Sequence, residues 1–375
     1  MFAEEKKVEY IELIYDLIFV YLIGQNNELL HELDGGFFTA GTYLTYLIGT
    51  AAVLQVWYMS TLFINRFGES RMTDYIGLFI NMYLLYYMTA GTRPDWDGYY
   101  MRYCIAWGLI LFNLAFQYYR KLRKSQKSAP WEISHIRSRM ILLLIQAAMI
   151  FVSIPVYYLT DVPLSWVSLI VGFFGSFFTR RIDALIPVNF EHLTERVMLY
   201  IVLTFGEMIV SIAVYFGAAF NLQTVYYSLF AFLIVVGLFL SYGFLYDHVI
   251  DRKMHTTGSV YMLLHIVLLL ALSNITACME FMPDPAVDAL AKNMLLTGSF
   301  LLYFVFLFII SCYAKDCDKP KKNLILMMIG ASIAFAVLTM LFYRNGYVSI
   351  ALAVAYVFGI MSMIVSAHKQ PADPA

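Results

Sequence analysis

Twelve stretches of this 375-residue chain are apolar over the length needed to cross a bilayer, and no connection between them is long enough to fold alone. A helical span takes about 20 mostly apolar residues. The stretches lie near 10–32, 38–63, 74–91, 99–119, 139–159, 163–179, 195–216, 224–246, 259–279, 294–313, 323–343 and 347–366. Polar residues interrupt the first, and the sixth is short. The expected fold is an all-α polytopic membrane bundle of about twelve transmembrane helices. Composition agrees: 61% of residues are hydrophobic and 14% charged, against about 45–50% and about 25% in soluble domains. A net charge of −1 gives no field for a polyanion, so nucleic acid is excluded as a partner along with soluble-enzyme and disordered-regulator classes.

Lysine and arginine test the span count independently, because they accumulate in cytoplasmic connections. With the N-terminus inside and the spans alternating, 21 of the 25 Lys and Arg fall on the inside. Both termini are therefore expected in the cytoplasm. Glu12 and Asp16 break the first apolar stretch, which is unlike a signal peptide, so that stretch is expected to be retained. Cys104, Cys278, Cys312 and Cys317 show no C-x-x-C pairing. The last two are expected near the cytoplasmic face, where thiols stay reduced.

Displacing the chain by 183 residues lays Glu12 on Glu195 and Thr73 on Thr256, and the spans align six with six. The corresponding halves, 1–190 and 191–375, would share one orientation, as in a 6+6 parallel repeat of a transporter fold. Identity between them is low, and the pattern leaves repeat and chance both open.

Ionisable groups inside a span are costly and usually face a protein interior or a water-filled cavity. Glu207 lies twelve residues into the seventh span, which is expected to place it near the middle of the membrane. Tyr200, Thr204, Glu207 and Ser211 follow steps of four, three and four, so they share one helix face. This seam reads as a proton or substrate path; the competing reading is a neutral carboxyl that only joins helices. Glu12 and Asp16 also share a face, with Gln25 further along the same span. Pairing with Arg66 or Arg71 at the inner end of span two would make them a helix clamp, the favoured reading for Glu12; for Asp16 clamp and path weigh equally. Glu195 and Arg196 join this group as a structural ion pair or interface site. His265, one turn after Tyr261, is either a proton carrier or a neutral interhelical donor. His248, Asp251 and His255 have helical spacing for a metal, but a fourth ligand is missing and no metal is expected. Phosphate-loop, nucleophile-elbow and H-E-x-x-H motifs are absent, so no catalytic residue and no cofactor is assigned.

The run Glu12-Leu13-Ile14-Tyr15-Asp16-Leu17-Ile18-Phe19-Val20, with Gln25 after it, resembles the opening E-L-F-F-D-L-V-F-V…Q signature of the bacterial low temperature requirement A (LtrA) family. Asn65-Arg66-Phe67 resembles its N-R-F. His192, Glu195, Arg196 and Gly206-Glu207-Met208 resemble its H-x-x-E-R…G-E-S segment, and Tyr261 with His265 its Y-x-x-x-H. Met208 stands where the family usually has Ser, and Ser241-Tyr242 replace its tryptophans. The resemblance implies a multi-pass protein of the bacterial cytoplasmic membrane. The family name records a cold-growth phenotype rather than a reaction.

Three functions fit these features. The first is a proton-linked secondary transporter of a small solute, with membrane lipids, protons and that solute as partners. The second is a membrane-embedded enzyme acting on a lipid or isoprenoid. The third is a channel or structural protein for cold growth. Twelve spans, carboxylates within them and no ATP-binding motif favour the first.

Overall fold

The computed structural model describes residues 7–89, 96–125, 127–178, 180–217, 221–315 and 322–367. Among them are twelve helices of 14 residues or more, one for each apolar stretch. They are α1 (Tyr10–Asn27), α2 (Ala40–Phe67), α3 (Met72–Thr89), α4 (Trp96–Lys124), α5 (Pro130–Thr160) and α6 (Ser165–Phe178). After these come α7 (Phe190–Ser211), α8 (Leu222–Phe244), α9 (Ser259–Phe281), α10 (Ala289–Ile310), α11 (Lys322–Leu341) and α12 (Gly346–Ala367). Eight, namely α2, α5 and α7 to α12, are long and apolar enough to cross a membrane. Of the other four, α1 carries Glu12 and Asp16 within 18 residues and α6 has only 14 residues. Among the described residues β structure is confined to two isolated bridges.

Short polar residues set several helix starts. Thr39, Asn221 and Asp288 each accept a backbone N–H from the first turn of α2, α8 and α10, satisfying a donor that would otherwise lack a partner. Pro130 opens α5, where its missing N–H costs nothing. Gly258 precedes α9 with φ at +73°, and a Cβ there would come 2.6 Å from Leu193 Cδ2, so only glycine fits. Cys104 and Cys278 are buried free thiols and Cys312 is exposed. Cys317 lies outside the described residues.

The chain forms two compact units. The first comprises 1–32, 39–200 and 253–266; the second comprises 33–38, 201–252 and 267–375. In the first, α4 packs on α3 and α5, α1 on α2 and α3, and α6 on α2 and α5. Helix α2 is its centre: nearly every residue from Gly49 to Phe67 is buried, as expected of a helix that is apolar all round. Gln55 and Gln146 carry polar groups into this interior, and Gln55 Nε2 donates to the Leu169 carbonyl at 2.7 Å.

In the second unit α12 packs against α8, α10 and α11. Tyr356 stacks on Phe335 with ring centroids 4.2 Å apart, and Thr297 bonds Thr339 at 3.0 Å. Lys292, which the charge count places in an outer connection, is instead buried in α10. Its ammonium donates to the carbonyls of Phe281, Met282 and Asp284 at 3.4, 3.3 and 2.8 Å. It caps the C-terminus of α9, where a cation meets the negative end of the helix dipole.

Candidate functional site

The charged centre of the first unit is assembled from two helices far apart in sequence. On α1, Glu12 and Asp16 are one turn apart; on α7, His192 and Arg196 are one turn apart, so each pair shares a face. The two faces meet. Arg196 donates from Nε to Asp16 Oδ2 at 3.0 Å, from Nη2 to Asp16 Oδ1 at 2.8 Å, and from Nη1 to Glu12 Oε2 at 2.7 Å. The first two bonds form a bidentate fork, the geometry in which guanidinium and carboxylate bind most strongly. Trp57 on α2 adds a third donor to Asp16, from Nε1 at 3.0 Å. The Tyr200 ring lies against Trp57 with centroids 4.3 Å apart. Arg196 and Asp16 are fully buried.

His192 completes the cluster, and its neighbours set its tautomer. The Asn65 side chain is oriented by the Asn189 backbone: Asn189 N–H donates to Oδ1 at 2.9 Å and Nδ2 donates to the Asn189 carbonyl at 2.9 Å. Nδ2 also faces His192 Nδ1 at 3.0 Å. An amide nitrogen only donates, so His192 Nδ1 accepts and the proton of the neutral ring is on Nε2. That nitrogen faces Glu12 Oε1 at 3.4 Å.

Arg66 makes neither of the ion pairs expected of it. Its Nε and Nη2 donate to the carbonyls of Ile186 and Thr257 at 3.1 and 2.9 Å. Arg196 is the partner of both acids. Spacing favoured Arg66 because it lies close in sequence, whereas the bundle brings α7 against α1 across 180 residues. Arg66→Ala should therefore lower stability by about 1.5–3 kcal/mol, the worth of charged hydrogen bonds to loop carbonyls. Combined with Asp16→Asn the losses should add to within about 0.5 kcal/mol, since the two share no partner. Strong coupling in that double-mutant cycle in detergent would contradict the assignment.

A second buried cluster involves the segment after α6. His135 Nε2 lies 2.8 Å from Asp183 Oδ1, and Arg139 donates to both Asp183 oxygens, from Nε at 3.2 Å and from Nη2. Burial works to raise the Asp183 carboxyl, but the His135 hydrogen bond and the Arg139 and Arg66 guanidinium groups outweigh it and hold it below its ordinary range. By sequence Arg139 belongs to the basic stretch at the start of the fifth span; the His135-x-x-x-Arg139 spacing is the local signal that both side chains share one face.

The other expected site residues are dispersed. Gln25 bonds Glu28 at 3.2 Å near the end of α1. His265 donates from Nδ1 to the Tyr261 carbonyl at 2.8 Å and lies fully buried against the Tyr261 ring. Glu195 is half-buried, and its carboxylate bonds no described residue. Thr204, Glu207 and Ser211 belong to the second unit, whereas Tyr200 closes a segment of the first. Glu207 is half-buried within electrostatic reach of Glu280, the last-but-one residue of α9. It lies past the middle of its span toward one end, because the helix begins at Phe190, before the apolar stretch does. Among the described residues no three His, Cys, Asp or Glu side chains are grouped to hold a metal ion.

Glu12, Asp16, Asn65, His192 and Arg196 thus converge from three separate sequence motifs. No curated protein and no solved structure matches the chain. A family model described as bacterial low temperature requirement A protein (LtrA) matches residues 7–358. With that match spanning nearly the whole chain, and with its apolar helices, the protein is a multi-pass membrane protein that belongs to the bacterial LtrA family.

Proposed function

We propose that the protein is a proton-linked secondary transporter of a small solute in the bacterial cytoplasmic membrane, with both termini in the cytoplasm. The observation that carries this reading is an acid, Glu207, half-buried within a helix long enough to span a membrane, with Glu280 near the end of α9 in electrostatic reach. Neighbouring carboxylates in a water-poor setting repel each other, and a proton taken up by one relieves the repulsion. Acids in spans are by default functional, as parts of proton relays or substrate paths. Thr204 and Ser211 offer hydroxyls on the same stretch of α7, and Asp16, His265, Gln25 and Tyr200 are further polar groups for the path.

The lipid-enzyme reading has less support. An apolar groove of about 420 Å³ between α10 and α11 is lined by Phe304, Phe308, Met328 and Ile329 among others, with Ser332 as its polar side chain. It suits an acyl chain, but no acid–base pair lines it.

Proteoliposomes holding the purified protein should show saturable counterflow for a member of a broad panel of labelled metabolites, and a pH gradient should drive accumulation. In Glu207→Gln, which keeps shape but not titration, counterflow should persist while pH-driven accumulation falls to background. Absence of counterflow across the panel would count against transport. Full pH-driven accumulation by Glu207→Gln would reduce that carboxylate to a packing group.

A further inference from the structure

We propose that the groove between α10 and α11 holds one acyl chain of an anionic phospholipid of the cytoplasmic leaflet, with Lys322 at the headgroup. This goes beyond the transport reading; only the choice of leaflet follows from the orientation proposed above. The two helices touch near one end, where Thr297 bonds Thr339 at 3.0 Å and the Phe300 and Phe335 rings meet edge to face with centroids 5.9 Å apart. Beside this contact, Leu301 on α10 and Ala336 on α11 begin a groove of about 420 Å³ that continues to Ile309 and Ile325. Its outer side is open, since Val305, Ile329 and Ile333 are each at least half exposed. Of the eight apolar spans α11 is the least enclosed, with 11% of its window buried inside the protein. An unfilled gap between helices leaves its lining without dispersion partners, and a flexible hydrocarbon chain supplies them. Ser332 is the polar side chain of the groove and is satisfied: its hydroxyl bonds the Met328 carbonyl at 2.8 Å and the Tyr356 hydroxyl at 2.9 Å. The groove therefore asks for no hydrogen bond, which suits an acyl chain and not a polar solute.

Length and charge select the kind of chain. Ile325, Ile329, Ser332 and Ala336 follow steps of four, three and four along one face of α11. From Ile325 to Ala336 the helix rises about 16 Å, close to half of a hydrocarbon core about 30 Å thick. The groove thus has the depth of a single leaflet. A helix of a second copy fits it poorly: about 10 Å across over the same length, it takes roughly 1,200 Å³, well above the 420 Å³ of the groove. Lys322 lies one turn before Ile325, continues the same face and is exposed. It therefore stands at the open end of the groove, at headgroup level. The connection that ends there, residues 315–322, carries four lysines against two aspartates, and such clusters beside a span attract anionic headgroups. Lys315, just past α10, donates to the His248 carbonyl at 3.0 Å, so the headgroup assignment rests on Lys322.

Photolabelling tests this on the full-length protein in phosphatidylcholine nanodiscs, with phosphatidylglycerol carrying a diazirine on one acyl chain as the probe. Peptide mass mapping should concentrate the adducts on the groove faces of α10 and α11 rather than on exposed faces such as that of α3. Unlabelled phosphatidylglycerol should compete about fivefold better than added phosphatidylcholine, the worth of one lysine near an anionic membrane surface. Lys322→Gln, a change at an exposed position, should abolish that preference while the adducts stay in the groove. Ala336→Trp, which fills the closed end, should reduce the groove adducts, and Lys322→Gln keeps the test decisive if that variant fails to fold. Adducts spread evenly over all membrane-facing helices would mean annular lipid only and would overturn the proposal. So would equal competition by the two lipids, an unchanged preference in Lys322→Gln, or a dimer cross-linked through Ile329 and Ile333. Labelling needs no transported solute, so a failed counterflow assay leaves this result standing and a failed labelling leaves the transport reading to its own test.

Discussion

Replacing Arg196 with methionine should cost about 3–5 kcal/mol of stability, because removing one partner of a buried ion pair strands the other. Here two carboxylates are stranded at once: Asp16 loses a fork and Glu12 loses its 2.7 Å donor. Arg196→Lys should recover only part, since a single ammonium cannot reproduce the fork on Asp16 together with the bond to Glu12. The triple variant Glu12→Gln, Asp16→Asn, Arg196→Met should lie much closer to wild type than Arg196→Met alone, because removing the whole charged set removes its desolvation cost as well. Equilibrium unfolding in detergent measures all three. A loss below about 1 kcal/mol for Arg196→Met would place this cluster among exposed ion pairs, whose worth is of that size, and so contradict its burial.

The second large effect is expected at Asp183. It is buried and bonded by His135 and Arg139, so Asp183→Ala leaves a guanidinium in the interior without its carboxylate and should also cost about 3–5 kcal/mol. The pH dependence has a definite sign. Asp183 is held below its ordinary value of 3.8 by its partners. Its contribution is therefore fully present above that value and is lost as pH falls through the lower, folded value. Wild-type stability should drop below about pH 4, the ordinary aspartate range, and the acid limb should be shallower in Asp183→Ala. Parallel acid limbs for the two proteins would show that Asp183 does not titrate with unfolding.

Much of this architecture is written in local chemistry. Each apolar stretch became one helix because backbone groups in hydrocarbon must bond within their own segment, and a helix does this without help from distant residues. Glu12 and Asp16 stood out for the same local reason: acids in an apolar run need a purpose. That logic fails for Arg139, which by sequence belongs to a basic connection and supports the charge alternation, yet is buried and paired with Asp183. Arg196, expected in an ion pair or interface site, is likewise buried, on Asp16 and Glu12. A charge near the end of a span has the same local sequence whether it faces water or a neighbouring helix.

The helices, their approximate ends and the faces that carry charge follow from a spacing of 3.6 residues and from the length of a bilayer, both legible along the chain. Which charged face meets which was decided only by tertiary packing. Asp16 finds Arg196 rather than the nearer Arg66 because α1 and α7 meet face to face, while Arg66 is drawn to the carbonyls of Ile186 and Thr257. The His192 tautomer required one step more: an asparagine on α2, held by the backbone at the start of α7, orients the ring toward Glu12. No periodicity encodes that contact, since it depends on the distance between three segments that only the folded unit brings together.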